Sequence, residues 1–329
     1  MHVGRSYGVS SFIYWTRYKT YILAAISLLV VTGYQSGCRW ISLPWPVLAL
    51  LGTAASFIVG FKNVQTYNRT LEAQQILSSI ACISRYWGLI ARDFPLNLDI
   101  SRSLVYRHLA WLTALRYQLR TERVWEAATH RHNFEYRHKL YTVPEHEIPL
   151  ADALRAYLPP EQLPPLLGSG NTVIALASAQ SSAIRELYSA EKIPVLHYTE
   201  MQKTLKELLD QHSRAERIKN FPYPRQYAIV DAIFVWTFAV LLPFGTVEVF
   251  GQLSHGGPTA WLAVPFSVLI AWMYVSLDQV GESTENPFEG GANDVPITHV
   301  FRLLEAELRK MLGERDVASP SATASDIIM

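Results

Sequence analysis

Cysteine is nearly absent from this chain: Cys38 and Cys82 are the only two in 329 residues. They lie far apart, in regions of different character, which argues against a disulfide framework and against a thiolate metal site. Charge is also scarce, at 17% of residues, against roughly 25% in a typical soluble domain. The formal net charge is only +1, so the strongly basic face that nucleic-acid binding requires is missing. No nucleophile elbow, phosphate loop or HExxH pattern occurs, and an enzyme has no positive support. Strand-like alternation is scarce as well, which leaves helices as the building material.

What is present is apolar sequence arranged in blocks. Half of the residues are hydrophobic and 12% are aromatic, yet the mean hydropathy is only slightly positive. Apolar stretches therefore alternate with a large polar region. Residues 21–34 carry no charge but fall short of the about 20 helical residues that cross ~30 Å of hydrocarbon. Extension backward through Tyr18, or forward to Gly37, makes the block adequate. Phe12, Tyr14 and Trp15 precede it as an interfacial aromatic flank. The run starts only after Arg17 and Lys19 and continues without a cleavage motif, so it reads as a retained anchor rather than a signal peptide.

The second block, residues 43–61, has no charge; Pro44 and Pro46 suit a first helical turn. Its small residues Ala49, Gly52, Ala54, Ala55 and Gly60 permit close helix contacts. The third block, 232–250, contains Pro243, expected to kink it, and Glu248 near its far end. The fourth, 259–277, is uncharged, and Ser254-His255-Gly256-Gly257-Pro258 is expected to form a tight turn before it. The expected fold class is an all-α membrane protein with four transmembrane helices and a helical domain outside the membrane.

That outer domain is the polar stretch 62–225, too long for a simple loop. Leu104, Leu109, Leu112, Leu115 and Leu119 recur at near-helical spacing, with Arg116, Arg120 and Arg123 on another face. Residues 175–188 and 200–210 also read as helices, and turn signals cluster at Pro159-Pro160 and Pro164-Pro165. Arg17, Lys19, Lys62, Arg69, Lys219 and Arg225 flank one side of the apolar blocks, and only Arg39 lies in the short loops on the other. This bias predicts cytoplasmic N- and C-termini. The expected organisation is 1–61 (N-terminal segment and first two spans), 62–225 (cytoplasmic domain), 226–280 (last two spans), 281–316 (cytoplasmic C-terminal segment) and 317–329. The last stretch, rich in Ser, Ala and Thr, is expected to be disordered.

Three groups of residues invite a functional reading. Thr53, Phe57 and Phe61 are spaced by four and stack on one helix face. Such a stripe is ordinary lipid or helix contact on an isolated helix, but in a ring of helices it forms a hydrophobic constriction that gates by dewetting. The polar run Lys62, Asn63, Gln65, Tyr67, Asn68, Arg69 and Glu72 then reads either as a helix emerging into the cytoplasm or as a vestibule below the pore. His130, His132 and His138 lie near Glu135, but their spacing matches no strong metal motif, and a solvated face is the simpler account. Asp231, at the start of the third block and near Arg225, reads as interfacial.

Five segments together give the chain a family likeness. They are Gly60-Phe61-Lys62-Asn63 with Tyr67-Asn68-Arg69 and Glu72; Tyr106-Arg107-His108-Leu109-Ala110-Trp111-Leu112 with Leu115-Arg116; Glu216-Arg217-Ile218 with Pro222-Tyr223-Pro224; Leu241-Leu242-Pro243-Phe244-Gly245; and Asn286-Pro287-Phe288 with Asn293-Asp294. In this order, on a plan of four crossings, the sequence resembles the bestrophin family, especially its bacterial branch. The resemblance implies a homopentamer around one central pore, with the second membrane helix forming a neck of three rings at Thr53, Phe57 and Phe61. A polar Thr53 departs from the bulky apolar pattern. Val195, after Pro194, matches a second, cytoplasmic constriction. Thr70 and Leu71 stand where the family often has two tryptophans, so packing behind the neck differs.

Animal bestrophins bind calcium through an acidic cluster after Asn-Pro-Phe. Here Asn286, Glu289 and Asp294 are a thin supply for an ion that takes six to eight oxygen ligands. The expectation is a structural loop packing on the neighbouring subunit, with no metal and no cofactor. The implied activity is passage of small monovalent ions, anion (chloride-type) or cation, across a bacterial inner membrane. The implied partners are further copies of the chain, membrane lipids and the permeant ions, with no nucleic acid. The alternative is a membrane-anchored interaction or signalling module; an alternating-access transporter lacks the broken-helix pair it needs.

Overall fold

The computed structural model describes residues 1–4, 7–127, 130–253, 258–315 and 327–329, apart from the side chain of His132. The turn expected at 254–257 and the tail residues 317–326 lie outside the described residues. The last three residues are held against the N-terminus, with Ile327 bridged antiparallel to His2.

Among the described residues the regular structure is helical. The elements are α1 (Val9–Gln35), α2 (Trp45–Asp93), α3 (Leu98–Arg120), α4 (Arg131–Leu140), α5 (Pro144–Glu147), α6 (Leu150–Leu154), α7 (Leu163–Leu167), α8 (Thr172–Ser189), α9 (Val195–Asn220), α10 (Arg225–Gln252), α11 (Ala263–Ser283) and α12 (Ile297–Met311). Three helical stretches among the described residues are long and apolar enough to cross a membrane: Arg39–Asp93, Arg225–Gln252 and Pro258–Ser283. α1 packs against α10 and α11 beside them, but Arg17 and Lys19 interrupt its apolar character.

α2 governs the architecture. It runs for 49 residues, roughly 70 Å at 1.5 Å per residue, more than twice the thickness of a hydrocarbon core. Pro44 caps it and Pro46 sits in its first turn, where a missing N–H costs nothing. The domain boundary expected at 61/62 is therefore a change of surroundings within one continuous helix. On the apolar side, Ala55 and Val59 pack with Leu23 of α1, Val235, Phe238 and Ala239 of α10, and Ala271 and Val275 of α11. On the polar side, Ala73, Ile76, Leu77, Ile80, Trp87 and Ile90 enter a second core with α3, α8, α9 and α12.

The second core explains several motif residues. Asn97 caps α3 by accepting from the backbone N–H groups of Asp99 (3.0 Å) and Ile100 (3.2 Å). The α3 leucines face inward, and His108 stacks on Trp111 beside Trp87. Burial drops the His108 imidazole to about 3, so it is a neutral core residue. The stretch 175–188 lies within α8, whereas the one at 200–210 belongs to the much longer α9. There Met201, Leu205, Leu208, His212 and Ala215 keep one buried face beneath a charged exterior.

Close approach between helices depends on small residues at defined sites. A Cβ at Gly88 would overlap Leu308 Cδ2 and come within 3.1 Å of Met311 Sδ, where α12 crosses α2. Gly88→Val is therefore expected to destabilise the cytoplasmic core by about 1–3 kcal/mol, read as a lowered thermal midpoint of the purified protein. An unchanged midpoint would show that α12 does not dock at this position.

Candidate functional site

One face of α2 is buried and the opposite face is bare along its whole length. Leu48, Gly52, Ala55, Val59, Lys62 and Thr66 are buried. Leu50, Thr53, Phe57, Phe61 and Val64 lie on the other side and are exposed; Phe57 is 77% and Phe61 54% accessible. The bare face continues through Tyr67, Leu71, Tyr86 and Leu89, well beyond the apolar layer. Thr53 turns its hydroxyl to Ala49 O at 2.8 Å, which satisfies the polar group and presents the methyl outward.

A buried ion pair sets the rotation of α2 about its axis. Lys62 Nζ donates to Asp278 Oδ1 on α11 at 2.6 Å, with both side chains almost fully buried. Gly281 permits the approach, since a Cβ there would lie 3.3–3.4 Å from Asn63 and Lys62. Asn63 Nδ2 reaches Leu277 O at 3.2 Å, and Ser56 shares a 2.6 Å hydrogen bond with the Tyr274 hydroxyl. Lys62 thus points away from the Phe57–Phe61 face and is no part of a vestibule lining. Asp278 is one residue past the uncharged block 259–277, which is why the sequence reading missed this partner. Asp231 is buried on α10, 3.5 Å from the Tyr223 hydroxyl.

Below the pair, Arg69, Thr70 and Glu72 are tied to neighbouring elements. Arg69 donates to Glu285 O (2.8 Å) and Ile218 O (2.7 Å), and Glu72 is bonded by Arg217. Thr70 donates to Thr284 O at 3.2 Å. Of the polar run that starts at Lys62, Gln65, Tyr67 and Asn68 remain on the bare face.

Val195 opens α9 behind Pro194 and is 54% exposed. His197 stacks on Phe94 at 3.8 Å, which places Val195 beside the far end of α2. That is roughly 50 Å along the helix from Phe57.

The loop after α11 is arranged around Arg120. The buried guanidinium donates from Nη1 to Phe288 O at 3.1 Å and lies 3.6 Å from Asp294 Oδ2 and 3.9 Å from Glu145 Oε2. Asp294 Oδ2 also accepts from the N–H groups of Gly290 (2.7 Å) and Gly291 (2.9 Å). Glu145 is shared with Arg116 (2.8 Å) and Thr298 (2.6 Å). Burial lifts the Glu289 carboxyl well above the usual carboxylate range, with Asp294 adding to the effect. Asn286 is buried beside them. These residues do not fit calcium: an arginine already occupies the cationic position, and Asp294 Oδ2 is committed to the Gly290 and Gly291 N–H groups.

Of the His tract, His130 is committed elsewhere. His130 Nδ1 lies 2.8 Å from Glu282 and its pKa is raised by that bond, while Glu135 is held by Arg17, Tyr18 and Arg131. Among the described residues no group of three or more His, Cys, Asp or Glu is placed to hold a metal ion.

A helical chain with apolar spans, one bare helix face and a buried loop after Asn-Pro-Phe defines a known class of membrane proteins. The chain belongs to the family described as Bacterial/Fungal Bestrophin protein, whose profile matches residues 9–310. It is 25% identical over 303 residues to the voltage-dependent anion channel-forming protein YneE of Salmonella typhi, covering 90% of this chain and 85% of that one. It is 24% identical over 318 residues to the voltage-dependent anion channel-forming protein RSc3414 of Ralstonia nicotianae, covering 94% and 91%. The fold matches a bestrophin homolog from Klebsiella pneumoniae with a TM-score of 0.76 at 24% identity, over 91% of this chain and 98% of that one.

The Lys62–Asp278 pair yields a direct test. Lys62→Met leaves a buried carboxylate alone and should cost about 3–5 kcal/mol, whereas Lys62→Met combined with Asp278→Leu should be close to neutral. Thermal midpoints in detergent measure both. Equal losses in the single and double variants would mean that the pair does not orient α2.

Proposed function

We propose that the chain is one subunit of a homopentameric anion channel whose pore is lined by the bare face of α2. The observation that carries this reading is the length of that face. Lipid can cover Leu50 or Phe57, but not Tyr86 and Leu89, which lie on the same face roughly 60 Å from the start of α2 and beyond a bilayer of about 40–45 Å. A surface that is continuous from membrane to cytoplasm suits a lumen shared by several copies. The relatives named as anion channel-forming proteins support the same reading and favour anions over cations.

In this reading α1, the first half of α2, α10 and α11 cross the inner membrane, and both termini are cytoplasmic. The remainder forms the cytoplasmic domain, with 281–316 as its C-terminal segment. Thr53, Phe57 and Phe61 form the neck, and Val195 a lower constriction. Phe57 and Phe61 lie about 6 Å apart along the axis, so five copies give two successive aromatic rings. Ring edges carry partial positive charge and can stabilise an anion that sheds water, while the rings themselves resist wetting. The asparagine–aspartate loop acts as a structural element without calcium.

Recording across a bilayer in asymmetric chloride should give a reversal potential of the sign set by anions, unchanged by chelator or added calcium. No current under any condition would favour the anchored interaction module, and a cation-directed potential would reject the selectivity. Changing both Phe57 and Phe61 to Ala should raise the current per assembled channel and weaken discrimination among ions of like charge. Thr53→Ile should reduce conduction. A double Ala variant that assembles as five copies in native mass measurement yet conducts like the parent would remove these residues from the neck.

A further inference from the structure

An aromatic cavity of about 370 Å³ lies beside the Arg120-centred loop and takes no part in the neck. The volume falls within the roughly 300–1,000 Å³ of organic-ligand pockets. Tyr7, Phe12 and Trp15 wall it from the start of the chain, Tyr136 and Tyr141 from α4 and the residue after it, and Val280 from the end of α11; backbone of 289–293 closes it. Phe12 and Trp15 directly precede the basic residues Arg17 and Lys19 of α1, and Val280 lies in the closing turns of α11. The cavity therefore sits where the helices leave the apolar layer, at headgroup depth.

Most polar side chains of the wall are satisfied by each other or by nearby backbone. Tyr7 donates to Asn293 Oδ1 (2.6 Å), Trp15 to Asn133 Oδ1 (2.9 Å), Tyr141 to Gly290 O (3.2 Å) and Ser283 to Val280 O (3.0 Å). Glu289 accepts from Ala127 N at 3.0 Å, and burial lifts its carboxyl well above the usual carboxylate range. Arg137 differs. Its Nη1 is buried and has no hydrogen-bond partner, although a guanidinium keeps its charge and all its donors. The guanidinium lies 5.8 Å from the centre of the Phe134 ring, which leaves the Nη1 donor without an acceptor. An apolar aromatic chamber with one such arginine, at headgroup depth, selects an amphipathic anion, and Arg matches phosphate in geometry as well as charge.

We propose that this cavity is a binding site for an anionic phospholipid of the cytoplasmic leaflet, with its phosphate on Arg137 and acyl carbons against the aromatic walls. The assignment rests on the membrane placement proposed above. It also gives the lipid a line to the neck. Thr284 lines the cavity, its hydroxyl lies 3.2 Å from that of Thr66, and its carbonyl accepts from Thr70. Both partners are on α2, directly below Phe61.

The test is lipid retention by the full-length protein, read by native mass spectrometry after incubation with phosphatidylglycerol or phosphatidylcholine. Retention is scored without current, so a non-conducting protein leaves the measurement intact. The expected result is one phosphatidylglycerol held per chain, several-fold in preference to phosphatidylcholine. Arg137→Glu should lose it, and Ser11→Trp, which fills the cavity from α1 without altering the arginine, should lose it as well. Arg137→Gln serves where Arg137→Glu does not assemble. Added phosphatidylglycerol should raise the thermal midpoint of the parent but not of the variants. Equal retention of both lipids, or parent-like retention by the variants, would overturn the proposal. So would a midpoint raised by a soluble aryl carboxylate and not by phosphatidylglycerol, or protection of Ser11→Cys from a maleimide in lipid-free protein, which would mean that another subunit fills the space.

Discussion

The ammonium of Lys62 and the carboxylate of Asp278, 2.6 Å apart and removed from solvent, constrain more of this molecule than any other contact. An unpaired charge at that depth is costly, so the two helices that carry them cannot rotate or slide independently. With Lys62 turned toward α11, the residues half a turn away are turned outward. Phe57 and Phe61 are exposed because Lys62, Val59 and Ala55 are not. The bare face of α2 is in this sense a consequence of packing behind it, where Gly281 and the Ser56–Tyr274 hydrogen bond let α2 and α11 approach closely.

The same helix carries that orientation into the cytoplasmic domain. Arg69 and Thr70 attach it to the start of the loop at Thr284 and Glu285, and the loop in turn is organised by Arg120 from α3. A covalently attached guanidinium serves there as the central cation, bonded to the Phe288 carbonyl and facing Asp294 and Glu145. Such a cation cannot dissociate, which makes the loop a permanent part of the core. Loop, α3 and α2 thereby form one connected framework from the cytoplasmic core to the residue below Phe61.

The sequence by itself determined the elements that depend on local chemistry. Uncharged runs identified the apolar spans, leucine spacing identified α3, and paired prolines marked the start of α2. The four-residue spacing of Thr53, Phe57 and Phe61 put them on one face, because helical geometry requires it. The scarcity of carboxylates after Asn-Pro-Phe was legible as well. Tertiary structure decided what depends on partners distant in the chain. The end of the apolar run at Phe61 looked like a boundary, yet α2 continues to Asp93, since a change of solvent does not end a helix whose buried face finds new partners. Lys62 was open between an emerging helix and a vestibule, and its partner Asp278, 216 residues away, was not legible. The loop after α11 is organised by Arg120 of α3, 168 residues before Phe288. Local sequence specifies periodicity and polarity; which charge meets which, and hence which way α2 faces, is fixed only when helices far apart in sequence pack together.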